Sequence, residues 1–140
     1  MSETKIILSV FTSYAKEFEQ MDPDLLVKYF HQPAALVTQE KTEFMNKEED
    51  IKETFDELFR YLKSNNFSHS SLSSLSVKQV SSSQAIITGR AIRFKKDGDE
   101  LERFGLNYTM QKKENDWKII FGLLHEYYQF ILCEGFVLPG

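Results

Sequence analysis

The side chains able to do chemistry in this chain are few and scattered. The histidines are His31, His69 and His125. No two stand at metal-ligand spacing, so the sequence offers no metal site, and no cofactor fingerprint appears. Cys133 is the single cysteine. It has no disulfide partner and no activating neighbour, and reads as a small buried apolar side chain. Nucleophile elbows and glycine-rich phosphate loops are absent. What remains is acid–base chemistry by Tyr14 and His125. Tyr14 belongs to the apolar stripe of a helix. His125 follows the last strand in phase with Trp117, Ile119, Phe121 and Leu123. If that phase faces the helices, His125 reaches the mouth of any cavity beneath them. A surface or capping role is the plainer reading of each histidine. His31, for example, ends a short helix, where a cation complements the dipole. Arg90 and Arg103 could hold an anion, although pairing with acids or with a partner subunit is the commoner use.

Three helices position the first of these groups. Ile7, Phe11, Tyr14 and Phe18 recur at helical spacing and predict a helix over 4–20. Asp22-Pro23 restarts the chain as N-cap and first helical residue, predicting a short helix over 23–30 that Pro33 stops. A short strand, Ala34 to Thr38, follows. Asn46 with Glu49 three residues on resembles a capping box and opens a helix over 46–64, with Ile51, Phe55, Leu58, Phe59 and Leu62 on one face. Asp56 and Arg60 pair at i, i+4, and Asn65-Asn66 marks the exit.

From Phe67 the period changes to two. Leu75 and Val77 share a face but Leu72 is out of step, which predicts a β-bulge near Ser73-Ser74. Strands over Gln84–Lys95, Glu100–Lys112 and Trp117–Leu124 complete a meander. With Asp97-Gly98 as a two-residue turn, Lys96 faces Asp99, Ala91 faces Phe104, Gly89 faces Leu106, Ile87 faces Tyr108 and Ala85 faces Met110. One face is then wholly apolar, and Arg93 faces Glu102 at its rim as a cross-strand ion pair. A three-residue loop would spoil this match. Gly89 and Ala91 leave room above the sheet. The helices bring phenylalanines to it, either to wall a cavity or to fill a core. An apolar pocket bounded by Tyr14, Phe18, Phe55, Phe59 and Tyr108 is the expected ligand-binding site.

Composition bounds the classes. The chain has 140 residues, enough for one domain, and twelve phenylalanines, a large apolar payload. A net charge of −4 leaves no basic excess for nucleic acid. No apolar run approaches the roughly 20 residues of a membrane span. The N-terminus lacks the pattern of a signal peptide, which together with the lone cysteine points to the cytoplasm. The segment "HEYYQFILCEGFVLPG", residues 125–140, is apolar with two acids and no lysine or arginine. It must dock on its own domain or on a neighbour.

The ordered segments "EFEQMDPDLLVKYF", "PAALVT", "KEEDIKETFDELFRYL" and "GLNYTMQKKENDWKII" together resemble the nuclear transport factor two-like superfamily, the cystatin-like α+β cone. The resemblance covers about Ile6 to Leu124. It implies an α+β cone with three N-terminal helices packed on a curved, mainly antiparallel sheet, a cavity between the layers, and frequent homodimers through the outer sheet face. Its members include ketosteroid isomerases, polyketide cyclases and dehydratases, and also binding or assembly modules, so fold does not choose a function. The isomerases' helix tyrosine matches Tyr14. Their carboxylate base falls at Thr38 or Gln39, with Glu40 shifted, and their aspartate falls at Leu106 or Asn107. Enolate chemistry needs a base and buried donors, so isomerase activity is disfavoured. A histidine–aspartate pair of the dehydratase kind stays open, because partners meet only in space.

The expected function is therefore a small-ligand-binding domain spanning residues 1–140 and needing no catalysis. The alternatives are an acid–base enzyme on a small apolar substrate and a dimeric scaffold whose cavity is filled. The partners expected are a small apolar ligand and a second copy. The second copy would meet an outer face that sets Ile86, Ile92, Phe94 and Leu101 beside Arg90, Arg103, Thr88, Asn107 and Thr109.

Overall fold

A computed structural model describes residues 2–126; the expectations for residues 127–140, and for Cys133 among them, lie outside the described residues. The helix α1, Glu3–Phe18, starts on Ser2, whose hydroxyl accepts from the Lys5 amide. It buries Ile7, Phe11, Tyr14 and Phe18, the stripe expected, and Met21 ends the segment at φ +53°. Pro23 does open a helical segment. Instead of one α-helix over 23–30, however, two 3-10 turns form, Pro23–Leu25 and Val27–Tyr29. Asp22 caps the first, and Leu26 and Tyr29 bond back three residues, so each turn closes without a longer helix.

Pro33 does not terminate a helix either. It lies inside β1, Phe30–Val37, where the pairing to the last strand, Asp116–His125, is irregular between Phe30 and Ala35, so the missing N–H of the proline breaks no ladder bond. A strand missed in the sequence, β2, Thr42–Met45, pairs antiparallel with β1. The helix α2, Glu48–Ser64, starts one residue later than the capping pattern suggested. Lys47 is the cap residue, and it is Asp50, not Glu49, whose carboxylate accepts from the Asn46 and Lys47 amides. Asn66 leaves the helix at φ +59°.

The remaining strands are β3, Phe67–Ser81, β4, Gln84–Lys95, β5, Glu100–Lys113, and β6, Asp116–His125. They complete one six-stranded sheet in the order β2-β1-β6-β5-β4-β3, antiparallel except for β1 beside β6. The fold is the α+β cone expected: the helical segments cover one face of a curved, mixed, open sheet. No helix among the described residues is long and apolar enough to cross a membrane.

Three of the register slips in the sheet decide how the expected site residues are placed. In β3 the register slips between Ser73 and Ser76, with Ser74 at φ +55°, the bulge expected there. Its consequence was not foreseen. A Cβ placed on Gly89 would lie 2.6 Å from Leu75 Cδ2, so Leu75 occupies the room that Gly89 leaves. The β4–β5 hairpin has the expected pairs, Ala91 with Phe104, Gly89 with Leu106, Ile87 with Tyr108 and Arg93 with Glu102. Its loop, however, is three residues long. Gly98, at φ +94°, donates to Lys95 O, and Lys95 bonds to Asp99 rather than Lys96 facing it. A slip between Arg93–Glu102 and Phe94–Glu100 takes up the extra residue at Leu101, which restores the register and packs Leu101 against the core.

The third bulge decides the fate of His125. Between Thr109–Phe121 and Met110–Ile119 the pairing slips at Ile120. Trp117 and Ile119 face the helices and are buried, but beyond the slip Gly122 and Leu124 take the inner face and Phe121 turns outward. His125 therefore lies on the outer face, over Gly105, with its Nδ1 donating to the Glu126 carbonyl at 3.1 Å.

Candidate functional site

Between helices and sheet the aromatic side chains mostly meet one another. The Phe18 ring lies 5.0 Å from Phe59 and 6.2 Å from Phe55, Phe55 lies 5.8 Å from Phe59, and Tyr14 lies 6.1 Å from Tyr108. Tilted and edge-on pairs of this kind pack a solid core. Of the five residues expected around a pocket, Phe55 and Phe59 are not among those that line the space in this layer. Tyr14, Phe18 and Tyr108 border a space of about 50 Å³ with Ala91 and Leu106. That holds water, not an organic ligand. Burial pushes the Tyr14 phenol well above 10.0, reinforced by the neighbouring Tyr108, and burial likewise raises Tyr108. Both stay neutral and can only donate or accept hydrogen bonds.

The larger space lies beside this core. A cleft of about 510 Å³ opens between α2, the β1–β2 hairpin and the start of β5, with Leu36, Leu58, Phe104 and Leu124 as its apolar surfaces. Thr54, Leu58 and Tyr61 present a second stripe of α2 to it, next to the core stripe of Ile51, Phe55, Phe59 and Leu62. Thr38, Gln39 and Glu40, the residues standing where the isomerases carry a base, line this cleft rather than the space beside Tyr14. Lys41 closes one wall by reaching Glu43 at 3.2 Å and Glu57 at 2.9 Å. These two carboxylates raise the Lys41 pKa.

Arg93 stands where the two spaces meet and lines both. It is the one buried charged residue among those described, at 8% exposure. Its Nη1 donates to Glu102 at 2.6 Å, and its guanidinium carbon lies 4.7 Å from the Phe104 ring and 5.4 Å from the Phe18 ring. Cation–π contact and one carboxylate offset the cost of burying the charge. Burial, and then the negative charge of Glu102, raises the Tyr61 phenol, so Tyr61, Glu102 and Arg93 form one polar cluster at the end of the cleft.

The acid–base pair read in the sequence is not assembled. Tyr14 faces the small inner space, whereas His125 lies across the sheet from it, over Gly105. Asn107 also faces outward, paired with Thr88. Among the described residues no three His, Cys, Asp or Glu side chains converge as a metal site would require. Arg93–Glu102 was legible as a rim ion pair; its place in the cleft was not. Tyr61 was missed, although its i, i+3 and i, i+7 spacing to Leu58 and Thr54 carried the signal.

Comparison with known proteins agrees with this fold. A family model described as NTF2-like protein (DUF6841) matches residues 2–127. A search of curated proteins gives no match. Among solved structures, an NTF2-like protein with a cystatin-like fold from Novosphingobium aromaticivorans superposes with a TM-score of 0.75. Its identity is 12%, over 96% of this chain and 88% of that one. An NTF-2 like protein of unknown function from Shewanella oneidensis gives 0.72 at 15% identity, over 89% of this chain and 100% of its own. A ketosteroid isomerase-like protein from Erwinia carotovora atroseptica gives 0.68 at 12%, over 91% and 98%. At such identities the likeness is one of fold. The family match, spanning all but the ends of the chain, carries the assignment: this chain belongs to the NTF2-like family DUF6841.

Proposed function

We propose that this chain is a small-ligand-binding domain whose ligand sits in the cleft beside Phe104, not among the aromatic residues of the core. The cleft itself carries the reading. Its volume of about 510 Å³ falls in the range of roughly 300–1,000 Å³ typical of small-molecule sites, and Leu36, Leu58, Phe104 and Leu124 give it apolar surface among polar and charged side chains. Catalysis is no part of the proposal. Tyr14 and His125 occupy opposite sides of the sheet, and the phenols beside the inner space are held neutral.

Filling the cleft tests this. Leu58→Trp places a large side chain into it from the partly buried face of α2. Small molecules that raise the melting temperature of the wild type, or that travel with it in native mass spectrometry, should lose that effect in Leu58→Trp while circular dichroism stays unchanged. Equal binding by both proteins would remove the cleft as the site.

A second reading concerns the outer face, where we propose a homodimer. Phe44, 73% exposed, pairs across Ala35, which pairs with Phe121, so an apolar row crosses three strands on that face. Ile86 extends the patch through Thr109, the partner of Phe121. A two-fold axis through it would bury the row against its own copy. Sedimentation at micromolar concentration should give a dimer that Phe121→Arg splits; a wild-type monomer would overturn this reading.

A further inference from the structure

The buried arginine at the end of the cleft has unused capacity. A guanidinium offers five N–H groups in a rigid fork that matches a carboxylate. Arg93 places one terminal nitrogen on Glu102, at 2.6 Å. Among the described residues the one enclosed side-chain N or O atom without a hydrogen bond is Glu17 Oε2. The remaining Arg93 nitrogens are therefore not sealed off; they retain access to the two spaces that Arg93 lines. The other cations of the cleft are engaged differently. Lys41 is shared between Glu43 and Glu57, and Arg103 sets both Nε and Nη2 on Glu100.

We propose that Arg93 selects a ligand bearing one carboxylate on an apolar body. The carboxylate would take the nitrogens that Glu102 leaves, and the body would lie along Phe104, Leu58 and Leu124. The proposal rests on the cleft being the binding site. Three features carry it together. Arg93 is 8% exposed, so an anion meeting it is largely desolvated, where a charge-assisted hydrogen bond is strong. The rings of Phe104 and Phe18 hold the guanidinium plane in place, which lowers the ordering cost of binding. Leu36, Leu58, Phe104 and Leu124 give the cleft its apolar surface, while Glu40, Glu43 and Glu57 line it too and disfavour a second acid on the ligand. Glu102 opposes a second carboxylate, so it limits the ligand to one acid and weakens the affinity for that one.

Isothermal titration with 2-naphthoate and with its uncharged isostere 2-naphthamide tests this. The wild type should bind the acid at least about tenfold more tightly than the amide, the scale of one charged hydrogen bond. Arg93→Gln should erase that preference, and Glu102→Gln, which keeps an acceptor for Arg93, should raise the affinity for the acid several-fold. Equal affinity of the wild type for acid and amide overturns the proposal while leaving the cleft as a ligand site. Binding of neither overturns both. An acid preference that survives Arg93→Gln assigns it to another cation. If Arg93→Gln does not fold, Glu102→Gln decides alone, and an unchanged or lowered affinity for the acid overturns the proposal.

Discussion

Arg93 and Glu102 sit opposite each other on neighbouring strands and meet at 2.6 Å, with the arginine side chain 9% exposed and the glutamate 32%. Removing the glutamate leaves a buried charge uncompensated, which is costlier than losing an exposed pair. Because Glu102 is partly solvated, the cost is discounted. Glu102→Leu should lower the stability by about 2 kcal/mol in urea unfolding, and Glu102→Gln by less than half of that. Equal losses for the two variants would mean that the acceptor oxygen kept in Glu102→Gln contributes nothing.

The glycines of the sheet should differ sharply in their tolerance of a methyl group. On the inner face, a Cβ on Gly122 would lie 2.7 Å from Leu36 and 2.8 Å from Tyr108, both buried. Gly122→Ala should therefore cost on the order of 1–3 kcal/mol through overpacking. On the outer face, the three atoms nearest a Cβ on Gly105 belong to the His125 ring, from an exposed residue that can swing away. Gly105→Ala should shift the melting temperature little. A reversal of that order in thermal melts would contradict the assignment of the two faces of β5 and β6.

Those same bulges explain how far the sequence could be read. The stripes of α1 and α2 and the Ala91–Phe104 register were legible, because periodicity and face matching report directly on burial. The 3-10 turns were not, since Asp22-Pro23 signals a helical start without fixing its pitch. His125 was misplaced because period-two counting from Trp117 assumes an unbroken strand, and the slip at Ile120 leaves no mark in composition. The space above the sheet was expected to be wider than it is for a similar reason. Gly89 looked like open floor, but the bulge at Ser74 swings Leu75 over it. Which of several phenylalanines interdigitate and which wall a space depends on packing in three dimensions, which no local pattern encodes.

The buried tyrosines predict behaviour in alkali. Burial raises Tyr14 and Tyr108 above the ordinary 10.0. A phenol with a raised folded pKa contributes stability that is fully present below pH 10 and is lost as the pH rises through the folded value. The melting temperature should hold up to about pH 10 and fall above it. Tyr14→Phe should flatten that fall, because one buried phenol no longer ionises on unfolding. An identical slope in both proteins would show that neither hydroxyl is shielded as described.

At the acid end the relevant group is Glu3. Its carboxylate accepts from the Trp117 indole and from Lys112, both at 3.0 Å, and these contacts lower its pKa, the Trp117 bond foremost. The stability it contributes is present above 4.5 and is lost as the pH falls through its lower folded value. Glu3→Gln should reduce the pH dependence of unfolding in that window, followed by the fluorescence of Trp117, the single tryptophan of the chain. An unaltered acid profile would separate Glu3 from the indole.

Methyl-detected NMR tests most directly whether ligand binds beside Phe104 and not in the aromatic core. Titration of the methyl-labelled protein with 2-naphthoate should move the signals of Leu36, Leu58 and Leu124, which line the cleft, and leave those of Ile7 and Ile51, buried in the core, in place. Shifts centred on Ile7 and Ile51, or no shifts at all, would contradict binding beside Phe104.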